Sequence, residues 1–178
     1  LCYHPSYTLE EGSFGNAVLS RLPVETIRAA ALPRTGRREP RGALWVEIND
    51  GTSRIQFITT HLSFYPAERQ KQIEALLGEE WLADARCNGP VIVCGDFNML
   101  ARSPSYRFMK TRLCDTVGSR QAAGGGTWMG MAGIDYVFSS NHYSVRSAAV
   151  PRNHVTTRAS DHFPIIVDLE LQHAKTVD

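Results

Sequence analysis

Apolar residues recur in two rhythms along this 178-residue chain. In the first third they alternate or run together, as in "NAVLSR" (16–21), "GALWVEIN" (42–49) and "SRIQFITTHL" (53–62). These segments are rich in β-branched residues and end at Gly, Pro or Asn-Asp-Gly, the punctuation expected of strands. The "NDG" at 49–51 reads as a hairpin turn between the second and third of them. A helical rhythm follows over 66–86. Pro66 suits a first turn, and Ile73, Leu76, Leu77 and Trp81 recur on one face. Then comes the apolar run "VIVC" (91–94) and a short helical segment at 103–113, with Ser103 as its expected N-cap. The stretch 124–133 reads as a loop around a Thr-Trp pair. Strands are expected at 134–140, 143–150 and 162–171. Strands interleaved with helices predict layered α/β packing.

Composition narrows the picture. With 43% hydrophobic and 21% charged residues, the chain reads as one globular domain able to bury a core without staples. Nineteen basic against eighteen acidic residues leave a formal charge of +1, which gives no broad electrostatic pull toward duplex nucleic acid or a membrane surface. The four cysteines, Cys2, Cys87, Cys94 and Cys114, follow no zinc or redox spacing, and Cys94 is expected as a reduced thiol in a strand. Arginines gather in 33–42 (Arg34, Arg37, Arg38, Arg41). That segment reads as a solvated loop, with Arg38 the residue expected to reach a substrate phosphate. No apolar run is long enough to span a membrane, and a cytoplasmic location is expected.

The informative residues end strands. His61 follows "FITT", Asp96 and Asn98 follow "VIVCG", Asp135 precedes "YVF", and Asp161-His162 precede "FPIIV". Each alone reads as a turn residue or an ordinary surface group. Together they divide into the roles that phosphate-ester hydrolysis needs. Asp96 and Asp161 can hold Mg²⁺ or Mn²⁺ through oxygen. Asn98 can position a phosphoryl oxygen or the attacking water. His61 and His162 can serve as phosphate donor and base, and Asp135 can orient one imidazole.

Five blocks, "GSFGNAVLSRLPV" (12–24), "TTHLSFYPAERQKQIEAL" (59–76), "CGDFN" (94–98), "IDYVF" (134–138) and "ASDHFPI" (159–165), together resemble the endonuclease/exonuclease/phosphatase superfamily of metal-dependent phosphoesterases, in its order. The resemblance implies a DNase I-like four-layer α/β/β/α sandwich. It implies His162 as general base or acid oriented by Asp135, and His61 at the phosphate. It further implies Asp96 and Asn98 aligning water and phosphate, and Asp161 as metal ligand or its neighbour. Asn16, Arg69 and Ser160 are expected to support the structure.

Family members open with a strand carrying Asn, then a helix, then a strand ending Gln-Glu that supplies the main metal ligand. Nothing in residues 1–15 resembles this, and Glu10 and Glu11 fall just before "GSFGN". The expectation is a single domain, 1–178, holding the C-terminal two-thirds or so of the fold, with N-terminal strands missing from one sheet and room for a partner chain to complete it. The activity expected is phosphodiester hydrolysis on a nucleic acid or a small or lipid phosphate ester. The alternatives are a phosphomonoesterase or lipid phosphodiesterase of the same superfamily, and a non-catalytic binding remnant.

Overall fold

The computed structural model describes residues 1–10, 12–118 and 126–172. Glu11 and the first two residues of the expected 124–133 loop lie outside them. The main sheet has six strands in the order β3-β4-β5-β6-β8-β7. These are β3 (Val24–Ala31), β4 (Gly42–Asn49), β5 (Arg54–His61), β6 (Val91–Asp96), β7 (Cys114–Asp115) and β8 (Asp135–Ser139). All pairs are antiparallel except β5 with β6. That parallel step needs a crossover, and α1 (Pro66–Leu77) supplies it. A second helix, α2 (Pro104–Met109), follows β6, and the Ser103 side chain caps it by accepting from the Tyr106 N–H.

The sheet buries its two faces unequally. Ala43, Trp45, Ile58, Val93, Tyr136 and Phe138 join Ile73, Leu76, Trp81, Tyr106 and Met109 in a large apolar core on the helix side. On the opposite face the core is small: Val18, Leu44 and Val46, with Val24 and Phe57 against them. There β1 (Cys2–Leu9) and β2 (Gly12–Val18) form an antiparallel hairpin over β3, β4 and β5. A second hairpin, β9 (Tyr143–Ala149) with β10 (Ile166–Leu171), is a separate sheet, and α3 (His154–Ala159) connects its strands. A cleft of about 520 Å³ runs between Cys94, Asp135 and Val137 on the main sheet and Val155, Ala159 and Ile165 beyond it. The strands outside the main sheet thus form two separate two-stranded sheets.

Several boundaries differ from those the periodicity predicts. Helix α1 stops at Leu77 because Gly78 turns extended and its N–H returns to the Ala75 carbonyl. Trp81 keeps the helical spacing but reaches the core from a turn. The expected 103–113 helix shortens to α2. The expected strand at 16–21 starts earlier and ends at Val18. Strands β1 and β3 and helix α3 stand where no element was predicted. The 49–51 turn forms as expected: Gly51 has φ 91°, and Asp50 Oδ1 accepts from the Thr52 and Ser53 N–H groups. All four cysteines are free. Among the described residues, no helix is long and apolar enough to cross a membrane.

Candidate active site

Strand register brings three of the predicted residues together. His61 pairs with Asp96 across β5 and β6, and Asp96 pairs with Asp135 across β6 and β8. Directly paired residues point to the same face, so a row of three polar side chains forms at one end of the sheet. Backbone bonds hold the row: Leu62 N–H donates to the Asp96 carbonyl at 2.8 Å, and Phe97 N–H to the Ile134 carbonyl at 2.9 Å. Gly95 is required here. Its φ is +141°, and a Cβ would lie 1.8 Å from the Thr60 carbonyl oxygen.

The chain then turns sharply. Asn98 adopts φ 47°, a left-handed conformation that Asn tolerates better than most residues, and its N–H donates to Asp96 Oδ1 at 2.8 Å. That bond fixes the Asp96 carboxylate, and Oδ2 is left facing two imidazoles. His61 Nε2 lies 3.4 Å from it and His162 Nε2 lies 3.9 Å away. Asn98 Nδ2 sits 3.2 Å from His61 Nε2 and donates to the Leu62 carbonyl at 3.0 Å.

His162 arrives from the other end of the chain. Trp128 bridges both Ala132 and His162, Phe163 N–H donates to the Thr127 carbonyl at 2.8 Å, and Met129 N–H donates to the Asp161 carbonyl at 2.7 Å. The fully buried Thr127 hydroxyl accepts from the Ile134 and Asp135 N–H groups, tying the same loop to the start of β8. So clamped, His162 Nδ1 lies 2.9 Å from Asp135 Oδ2. The Thr-Trp loop is therefore the brace of the site.

Electrostatics separate these groups. Burial, the Arg41 charge and the His162 charge lower His61 to about 4. Burial also pulls His162 down, but its bond to Asp135 and the charges of Asp135, Asp96 and Asp161 outweigh that and raise it. Burial raises Asp96 to about 6, with the Asp135 charge adding to it, against the Asn98 N–H and the charges of His162 and Arg41. One imidazole is held neutral and the other is made more basic, with a carboxylate between them that is reluctant to ionise.

Not every expected residue joins the cluster. Asp161 is exposed and stands outside the group formed by Asp96, Asp135 and His162, whose ligand atoms all lie within 4.8 Å of one another. Arg38 pairs with buried Glu68 at 3.4 Å and stacks 3.9 Å over the Tyr65 ring. Arg41 instead reaches the site, with Nη1 2.9 Å from His61 Nδ1. Asn16 Nδ2 donates to the Gly42 carbonyl, and Arg69 Nη1 donates to the Ser63 and Phe64 carbonyls. Beside the cluster is an apolar hollow of about 600 Å³ lined by Phe64, Leu100, Trp128 and Ile134, with Asn98 and His162 on its wall.

The profile of the Endonuclease/Exonuclease/phosphatase family matches residues 2–162, which include every one of these groups. The chain belongs to that family. Its members hydrolyse phosphoester bonds and generally use divalent metals. Uncharacterized protein YbhP of Escherichia coli is 38% identical over 90 residues; the match spans 49% of this chain and only 34% of YbhP. An endonuclease/exonuclease/phosphatase from Beutenbergia cavernae superposes with a TM-score of 0.72 at 23% identity, over 96% of this chain and 53% of that one. The human Nocturnin catalytic domain with bound sulfate superposes at 0.70 and 20% identity, over 96% and 72%. These likenesses establish the mixed α/β DNase I-like fold.

Proposed function

We propose that the chain carries the catalytic centre of a divalent-metal-dependent phosphodiester hydrolase. The observation that carries this reading is Asp96 Oδ2 between two imidazoles at 3.4 and 3.9 Å, one held by a cation, Arg41, and the other by an anion, Asp135. The donor set suits a hard cation. Asp96 is a half-buried carboxylate that burial and Asp135 keep from ionising freely, and a cation beside it relieves that cost. Mg²⁺ or Mn²⁺ takes oxygen ligands, leans on one or two carboxylates and completes its shell with water and substrate phosphate, so Asp96 would hold it, with Asp161 nearby. When bound, the metal neutralises charge developing on the phosphoryl oxygens.

The protein's own groups do the rest. His162 Nε2 takes a proton from water as the water oxygen bonds to phosphorus; the P–O bond to the leaving group breaks, the departing alkoxide takes a proton from solvent, and His162 returns its own to solvent. Asp135 holds the His162 ring through Nδ1 and stabilises the cation that results. His61 and Asn98 face the phosphoryl oxygens. The test is hydrolysis of bis-(p-nitrophenyl) phosphate with Mg²⁺ or Mn²⁺, beside a chelator control, His162→Ala, and p-nitrophenyl phosphate as a monoester. Metal-dependent turnover of the diester that falls about 10²–10⁴-fold in the variant is expected. Turnover that survives both the chelator and the substitution would sink the proposal, and a clear preference for the monoester would move the substrate class.

A further inference from the structure

Arg41 ends the arginine-rich loop before β4, and only 11% of its side chain is exposed. Its Nη1 lies 2.9 Å from His61 Nδ1 and 3.1 Å from Glu39 Oε1. A guanidinium has donors and no acceptor. His61 Nδ1 must therefore accept and carry no hydrogen, which leaves the proton of the neutral ring on Nε2. Next to it, Asn98 Nδ2 is identified as the nitrogen end of its amide by its bond to the Leu62 carbonyl. Two N–H groups 3.2 Å apart then stand side by side, and neither can accept from the other. The nearest anion to His61 Nε2 is Asp96 Oδ2 at 3.4 Å, longer than a good N–H···O bond. Two donors this close suit a single anionic oxygen that accepts from both.

We propose that Arg41 is a positioning residue that holds His61 as the Nε2–H tautomer, so that His61 and Asn98 present paired donors to one phosphoryl oxygen. The tautomer follows from the contact alone, while the phosphoryl oxygen rests on the hydrolase reading above. Arg41 thereby acts on the reaction without touching the substrate. Glu39 Oε1 accepts from the same Nη1 at 3.1 Å and keeps that nitrogen beside the ring. A merely structural Arg41, anchoring the loop through Glu39, makes no demand on which His61 nitrogen carries the proton.

Long-range ¹H–¹⁵N correlation spectra of the labelled protein read the tautomer directly, with the His61 signals assigned by their loss in His61→Gln. In the wild type, His61 is expected to show a protonated Nε2 and a bare Nδ1. In Arg41→Met, Nδ1 gains proton occupancy, and kcat on bis-(p-nitrophenyl) phosphate falls about 10²-fold with little change in KM, the size expected for losing one such donor. Arg41→Lys keeps a donor at Nδ1, and with it the tautomer and most of the kcat. The His162 signals stay in place in all three proteins and report an intact site. A proton on Nδ1 in the wild type, or an unchanged tautomer in Arg41→Met, overturns the assignment. A shifted tautomer with unchanged kcat overturns the paired-donor role. A wild type without turnover counts against the hydrolase reading, while the spectra still decide the part played by Arg41.

Discussion

His61 and His162 flank the same carboxylate oxygen, and each side chain keeps 29% of its exposure, yet they behave as opposite chemical groups. The difference lies on the far side of each ring. His61 turns Nδ1 to the Arg41 guanidinium, and His162 turns Nδ1 to the Asp135 carboxylate. A cation at Nδ1 forbids a second proton and makes Nε2 a donor. An anion at Nδ1 welcomes the charge and makes Nε2 a base. One residue type thus fills two roles, because the role is written in the second neighbour. The neighbours have different origins as well: Asp135 is placed by strand register beside Asp96, whereas Arg41 comes from a loop.

Removing the base itself should cost most, as in the His162→Ala assay above. Removing only its second neighbour should cost less. In Asp135→Asn the ring keeps a bonding partner but loses the charge that raises it. Activity is expected to fall about 10–100-fold, the usual penalty for losing a carboxylate behind a working histidine. NMR titration should show the His162 midpoint dropping, while His61 stays near its value of about 4. A His162 midpoint unmoved by Asp135→Asn would mean that Asp135 does not set the contrast between the rings.

How far the sequence foretold this differs between the two histidines. His61, Asp96, Asp135 and His162 were legible because each sits at the end of an apolar run, where a polar group is conspicuous. Arg41 was not. It lies in a charged, proline-broken loop that reads as solvated surface, and only the β4–β5 pairing, Ala43 with Thr60, carries it to His61. Asp161 was legible as an acid beside a histidine, but sequence cannot say that its side chain faces solvent. Among the elements, β4 declared itself because burial on both faces demands a nearly continuous apolar run, and β5, β6 and β8 because their burial alternates along the strand. The edge strand β3, "VETIRAAA", has alanines and mixed charges that suit a helix at least as well, and pairing with β4 overrides that preference. In β1, Pro5 hides the strand, and the ladder slips there between Pro5 and Tyr7. The overlong helix came from Trp81, whose spacing imitates a helical face after Gly78 has ended α1.

The smallest effect sharpens the comparison without any substrate. In the metal-free protein, His61 folds with a value near 4 against about 6.5 when unfolded. Between those limits the unfolded chain binds a proton that the folded one refuses, so this group makes stability fall as pH drops from about 6.5 to about 4. Asp96 does the reverse. It folds near 6 from 3.8, so the folded protein holds a proton that the unfolded chain has released, and stability rises as pH drops from about 6 to about 4. His162, raised above its ordinary value, is largely protonated in both states across that window and adds little slope; its own stabilisation is present below about 6.5 and is lost as pH rises through its folded value. The two opposing terms, each on the order of 2 kcal/mol, therefore nearly cancel in the wild type. Urea unfolding with a chelator at pH 6 and pH 4.5, taken relative to the wild type, should split them. His61→Gln gains stability on acidification because only the Asp96 term remains, and Asp96→Asn loses it because only the His61 term remains. Slopes of the same sign in both variants would show that the two groups do not titrate as a matched pair, and that the neutral ring at β5 owes its state to something other than burial and Arg41.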